Sequence, residues 1–257
     1  MTRSEPGLRG EGPLIAVAVH NGHAIRDELA GLFALSEDGR LREEDPYTGE
    51  WAEVAPTSIV AHHSRFEVDL NRPRDKAVYR RPEDAWGLQV WKEELPTAVV
   101  ERSLAEYDHF YDLARETLSA IARRWGRFVV FDLHTYNHRQ DGPDGPPADP
   151  DMNPELNLGT GTMDRTRWAP VVDRFLHDLR AFDFRGRSLD VRENVKFRGG
   201  RFSRFVHEEF PDTGVSLAIE FKKTFMDEWT GERDRAHFDA LKAALASTVP
   251  GVLATLK

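Results

Sequence analysis

Near-continuous apolar runs that each end in reactive polar residues constrain this chain most strongly. Leu14–Val19 (LIAVAV), Ile59–Ala61 continuing toward Val68, Phe128–Leu133 (FVVFDL) and Val215–Phe221 (VSLAIEF) are too short for membrane spans. They are too evenly apolar for half-exposed strands, so they are expected in a sheet covered on both faces. Helical patterns lie between them. Val100, Leu104, Tyr107, Tyr111, Ala114, Leu118, Ile121 and Trp125 recur three and four residues apart, which predicts one long helix over Ala98–Trp125. Asp164 reads as the N-cap of a helix over Arg165–Phe182, and Glu232–Ser247 as a C-terminal helix. Strands alternating with helices predict a layered α/β fold, with residues 1–257 as one domain. Residues 1–12 are polar and Gly/Pro-containing and are expected to be a flexible N-terminus. Gln140–Pro154 holds five prolines and two glycines, which excludes helix and central strand. It is expected to be an active-site loop, because chemistry-bearing residues flank it.

Composition narrows the chemistry. The 257 residues include no cysteine, so disulfides, thiolate metal sites and a cysteine nucleophile are excluded. Any metal must rest on His, Asp and Glu. Thirty-five Lys+Arg against 44 Asp+Glu give a net charge of −9, which argues against nucleic acid as a partner. No apolar stretch approaches the ~20 residues of a membrane helix, and no apolar leader core is visible, so a soluble cytoplasmic protein is expected.

The strand ends carry the chemistry. His20 follows LIAVAV, His134 follows FVVFDL, Glu220 lies within LAIEF, and Asn71-Arg72 closes VDLNR. In open α/β sheets, ligands bind beyond the carboxyl ends of strands. Each residue also has a bland reading. A lone His is usually a hydrogen-bonded core or surface residue, Glu220 would pair with Lys222, Lys223 or an Arg, and Arg72 and Arg139 would be surface charge. Asp45 would by default sit in a solvated acidic turn. Together, however, two His and a buried carboxylate suggest a zinc hydrolase, in which the metal acidifies a water and Glu220 acts as general base. The Asn71-Arg72 pair offers a planar fork for a substrate carboxylate.

The segments VHNGH (19–23), EEDPYT (43–48), SRFEVDLNRPRDKAVY (64–79), DLHTYNHR (132–139), LNLGTGT (156–162), VKFRGG (195–200) and AIEFKKTFMDEWTG (218–231) resemble the N-formylglutamate amidohydrolase family. That family is similar in fold to zinc carboxypeptidases and aspartoacylases. The resemblance implies a three-layer αβα domain with a mixed central sheet, of the zinc-carboxypeptidase-like (phosphorylase/hydrolase-like) kind. It implies one Zn2+ held by His20, His134 and Asp45, with Glu44 as the alternative to Asp45. Glu220 becomes the general base, Asn71 and Arg72 hold the substrate carboxylate, and Arg65, Asn137 and Arg139 stand on the substrate side. His23 and Asp132 would support the ligands from behind. Val19 and Asn21 depart from the Pro and the small residue common beside the first His.

The expected substrate is therefore a small anionic N-acyl amino acid or peptide-like amide, with N-formyl-L-glutamate first among them. Two other readings differ from it. One is a zinc metallopeptidase or amidase acting on a small peptide or cell-wall fragment with the same metal and base. The other is a non-catalytic protein that binds a small anion through its arginines.

Overall fold

The computed structural model describes residues 6–8, 11–139 and 141–256. Seven strands form one sheet: β1 (Pro6–Leu8), β2 (Leu14–Ala18), β3 (Thr57–Val60), β4 (Phe128–Tyr136), β5 (Leu156–Gly159), β6 (Val191–Glu193) and β7 (Gly214–Lys222). Their order is β1-β3-β2-β4-β7-β5-β6. The four apolar runs form its parallel centre, β3-β2-β4-β7. β1 is antiparallel to β3 and β5 is antiparallel to β7, so the sheet is mixed.

The described residues include six α-helices: α1 (Glu37–Glu43), α2 (Thr48–Trp51), α3 (Thr97–Trp125), α4 (Ala169–Ala181), α5 (Arg201–Glu209) and α6 (Arg235–Ala254). The two-residue period of a strand divides the core. From β4, Val129, Phe131 and Leu133 enter the cluster built with α4 and α6, where Trp51 of α2 is also buried. Phe128 and Val130 enter the cluster built with α3 and α5. Helices therefore cover both faces, which gives the expected αβα layering. Among the described residues, no helix is long and apolar enough to cross a membrane.

Several boundaries differ from the sequence reading. β4 and β7 run further, so His134 lies inside β4 rather than after it. β3 stops at Val60, and beyond it only single bridges, Gly22 to Ser64 and Ala24 to His63, continue the pairing. Phe66 leaves the sheet for a third apolar cluster with Phe33, Tyr79, Val90 and Trp91. Asp164 does not cap α4. Its carboxylate accepts the Arg167 N–H at 3.0 Å in a preceding turn, and the helix starts near Pro170. α6 starts later than expected, with the Asp234 side chain capping it through the His237 N–H at 3.0 Å, and it continues past Pro250 to Ala254.

Within Gln140–Pro154, Gln140 lies outside the described residues, and 141–154 form neither helix nor strand. The base of this loop is held by Glu228, which accepts the His138 and Arg139 N–H groups at 2.7 and 3.0 Å. Pro6–Leu8 is an edge strand, and the remaining expectation for the N-terminus falls mainly outside the described residues.

Candidate active site

One face of the central sheet changes character along its length. On β4 the sequence Phe128, Val130, Asp132, His134 passes from apolar to polar on a single face. His134 pairs in register with Glu220 of β7, which puts an imidazole and a carboxylate side by side at the carboxyl end of parallel strands. His20 arrives two residues after β2. Asp45 arrives after α1, where its N–H donates to the His20 carbonyl at 2.9 Å.

His20, Asp45 and His134 are all buried, and their ligand atoms lie within 4.8 Å of one another. The Nδ1 atoms of His20 and His134 face the same oxygen, Asp45 Oδ2, at 3.3 and 3.0 Å. Their Nε2 atoms are held from behind by Asp69 Oδ1 at 2.8 Å and Asp132 Oδ1 at 3.0 Å. An ionised carboxylate only accepts, so each Nε2 donates to its aspartate; each Nδ1 donates to Asp45 when the imidazole is protonated and would offer its lone pair to a cation placed between them. Two imidazoles braced by carboxylates around a third carboxylate fit a divalent transition metal. Thr135 Oγ1 donates to the other Asp45 oxygen at 3.0 Å.

The local field matches that donor set. Burial works to raise the Asp45 carboxyl, but the hydrogen bonds from His134 and His20 outweigh it and hold it well below the usual carboxylate range. Burial likewise opposes ionisation of Asp69, and the Arg65 and His20 charges overcome it. His134 would be lowered by burial, yet the charges of Asp132 and Glu220 raise it strongly. A site that draws a proton onto a buried imidazole also draws a cation. Glu220 behaves differently: burial pushes its carboxyl up to about 7. Among the described residues its carboxyl makes no hydrogen bond or ion pair, so the expected pairing with Lys222, Lys223 or an Arg is not what occupies it. It lines a cavity of about 570 Å3 together with His20, Asp45 and His134.

The remaining sequence candidates divide by position. The Glu44 carboxylate turns away to His23 Nδ1, at 2.6 Å, and to Ser64 Oγ, so Asp45 and not Glu44 joins the cluster. His23 therefore braces Glu44, and that hydrogen bond raises the imidazole's pKa. Asn71, Arg65 and Asn137 line the cavity. Asn71 Nδ2 stands 3.3 Å from His134 Nε2, while its Oδ1 accepts the Phe202 N–H at 2.9 Å at the start of α5. Arg65 binds Asp69 at 2.7 Å. The Asn137 amide is shared between Glu43 and Lys223.

Arg72 and Arg139 stand off the cavity wall. Arg72 donates to the Asp84 carbonyl at 2.6 Å and lies over the Tyr79 ring. Arg139 donates to the Gly145 carbonyl at 2.5 Å and so braces the proline-rich loop from within. None of residues 141–154 lines the cavity. The loop reaches it through Asn153 Oδ1, which accepts from Lys196 Nζ at 2.6 Å.

Two residues carry more than the sequence reading gave them. Asp69 binds His20, Arg65, Tyr79 and the Asn71 N–H at once. Its signal was a carboxylate between Val68 and Leu70 in an apolar stretch. Lys223, read only as a possible ion-pair partner of Glu220, is buried, and its Nζ donates to the Arg42 and Glu44 carbonyls and to Asn137 Oδ1 at 2.5, 2.7 and 2.9 Å.

Comparison with known proteins places the fold and the family. The chain is 26% identical over 269 residues to an N-formylglutamate deformylase of Pseudomonas aeruginosa, covering 96% of this chain and 94% of the relative. A crystal structure of N-formylglutamate amidohydrolase from Ralstonia eutropha JMP134 superposes with a TM-score of 0.74 at 19% identity, covering 98% and 97% of the two chains. A gene product of Agrobacterium tumefaciens superposes with a TM-score of 0.65 at 18% identity, covering 94% and 92%. At these identities the two structures speak for the fold. The family model for N-formylglutamate amidohydrolase matches residues 12–226, and the chain therefore belongs to the N-formylglutamate amidohydrolase family.

Proposed function

We propose that the protein is a metal-dependent amidohydrolase that cleaves the amide of an N-acyl amino acid, with N-formyl-L-glutamate as its first substrate. The observation that carries this reading is the convergence of His20, Asp45 and His134 beside a half-buried Glu220 whose carboxyl has no hydrogen-bond or ion-pair partner among the described residues, in one cavity. Family membership and the name of the Pseudomonas relative support the substrate. The three side chains would hold a divalent cation, zinc by the chemistry of the donor set, which supplies Lewis acidity to the substrate carbonyl and to a water.

The chain's own residues supply the rest. Asp69 and Asp132 fix the two imidazoles so that Nδ1 faces the cation. Glu220 accepts a proton at its carboxylate and delivers it to the leaving amine nitrogen. A carboxyl without a protein partner is free to do both. Asn71 and the positive charge of the cavity wall face the substrate's carboxylates, and burial of His20, Asp45 and His134 limits access of bulk water at the reacting end.

Glu220→Gln tests the assignment. Turnover of N-formyl-L-glutamate is expected to fall by ~10²–10⁴-fold while the bound metal, counted by elemental analysis, stays the same. Unchanged turnover would remove Glu220 from the mechanism. Sub-stoichiometric metal after metal-replete growth, with no gain on added zinc, would favour the non-catalytic anion-binding reading.

One observation favours a second reading of the substrate. The cavity is larger than a formyl group and a glutamate side chain fill, and Trp86, 57% exposed, stands on its wall with Leu88. A longer acyl group or a small peptide amide would use that apolar wall. Comparing kcat/KM for N-formyl-L-glutamate, N-acetyl amino acids and short peptides separates the two.

A further inference from the structure

The cavity contains five cationic side chains, and four are already committed to the protein. Arg42 binds Glu43 and, at 2.6 Å, the Arg139 carbonyl. Arg65 binds Asp69, Lys196 binds Asn153, and Lys223 donates to three acceptors. The fifth is Arg198. Among the described residues its guanidinium has no hydrogen bond, ion pair or ring contact, although it lines the same cavity.

The backbone beneath that free guanidinium is tightly fixed. The Gly161 N–H donates to the Arg198 carbonyl at 2.7 Å. A Cβ on Gly159 would lie 2.6 Å from the Gly199 nitrogen and 2.8 Å from the Arg198 carbonyl carbon, so the end of β5 is stripped of a side chain where this turn crosses it. A Cβ on Gly200 would fall within 2.5 Å of the Asn71 amide. The turn is thus clamped between β5 and the Asn71 side chain, which itself approaches His134. A fixed backbone carrying an unspent fork of donors is a preorganised anion receptor. Arg198 is also exposed, whereas the His20, Asp45 and His134 cluster is buried, so it stands at the open side of the cavity, away from the reacting end.

We infer that Arg198 is the specificity residue that anchors the carboxylate of a dicarboxylic substrate farthest from the scissile amide, a contact separate from the substrate carboxylate that the family resemblance gives to Asn71 and Arg72. This rests on the hydrolase reading above, and it refines the substrate to an acyl amino acid with an acidic side chain. The turn following β6 then couples recognition to the metal cluster through the Gly200–Asn71–His134 contacts.

Glutarate binding to the purified full-length protein, measured by calorimetry, tests this without requiring turnover. Arg198→Ala is expected to weaken glutarate by about tenfold to a hundredfold, with Arg198→Lys intermediate and butyrate unaffected. Arg204→Ala, which removes an exposed arginine outside the cavity, should stay within about threefold. In turnover, the preference for N-formyl-L-glutamate over N-formyl-L-glutamine should fall by a similar factor, mainly through KM. Glutarate affinity equal in wild type and Arg198→Ala, or no glutarate binding by wild type, overturns the inference. A wild type that hydrolyses neither substrate yet binds glutarate through Arg198 would defeat the deformylase reading and leave this one standing. An active wild type whose preference survives Arg198→Ala would do the reverse.

Discussion

Asp69 shows how much of the site depends on a carboxylate that touches no substrate. It orients His20, neutralises Arg65 and accepts from Tyr79, all in a buried position. Asp69→Asn keeps the shape but puts a donor where His20 Nε2 and Arg65 need an acceptor. Metal affinity, measured by chelator competition, is expected to drop by about 10–100-fold, the usual cost of losing a carboxylate that braces a ligating imidazole. An unchanged affinity would mean that His20 is held by the sheet alone. His20, His134 and Glu220 are legible in the sequence because each interrupts or ends an apolar run, where an unpartnered polar group is costly. Asp69 carried the same signal but was overshadowed by the Asn71-Arg72 pair beside it. The substrate-side arginines were less legible for a physical reason: a guanidinium reaches several ångströms from its Cα, and sequence does not say which acceptor it meets. Arg72 meets a carbonyl and two aromatic rings, and Arg139 meets its own loop. The Glu44 or Asp45 choice likewise depended on which way consecutive side chains turn after α1, and His23 and Ser64 decide it.

At the scale of elements, long strongly periodic segments were legible and short ones were not. The spacing of α3 and the apolar runs of β2, β4 and β7 predicted those elements to within a few residues. β5, β6 and α5 are four, three and nine residues long, too short to show a period, yet they carry the turn with Lys196 and Arg198. β3 was overextended because Phe66 and Val68 continue an apolar alternation, although Val68 stays in the cluster of Ile59 while Phe66 packs in a separate one. The join between elements that matters most for the site is Lys223. It lies just past β7, yet its ammonium ties the carbonyls at the end of α1 to Asn137 after β4. Burial lowers its pKa, so the geometry must keep all three acceptors in place for it to stay charged. Lys223→Met preserves the apolar stem and strips three donors from buried acceptors. Unfolding in urea should show a loss of at least about 2 kcal/mol, on the scale of 1–3 kcal/mol for each unsatisfied buried group. Metal content should fall with it, because Asp45 follows Glu44 directly. A stable variant with full metal would show that the Asp45 segment is held by the His20 carbonyl alone.

Across the whole molecule, the charge of −9 is a poor guide to the substrate, because the cavity concentrates five cations that the total hides. Strand order was equally hidden: β5 returns antiparallel beside β7 and β6 extends that edge, a placement no local pattern encodes. The same whole-molecule balance governs stability against pH, where two partly buried groups oppose each other. His207 of α5 stands 3.0 Å from Thr162 Oγ1 through Nδ1 and accepts the Ser216 N–H of β7 at 3.0 Å through Nε2. Burial pushes it down from 6.5 to about 4, and protonation would also break the bond to Ser216. Between those values the unfolded chain binds a proton that the folded one refuses, so stability rises with pH. Glu220 is pushed up from 4.5 to about 7 by burial. Between those values the folded state holds a proton that the unfolded chain has released, so stability falls with pH. In metal-free protein the two slopes overlap from about pH 4.5 to 6.5 and nearly cancel. Removing either group exposes the other. Glu220→Gln should gain about 2–3 kcal/mol from the low to the high end of that window, and His207→Gln should lose a similar amount. Denaturant unfolding across the window, with chelator present, reads both. Three parallel curves would show that neither group is held as the fold holds them here, while opposite slopes in the two variants would place a neutral histidine under α5 and a protonated carboxylic acid beside His134 in the metal-free protein.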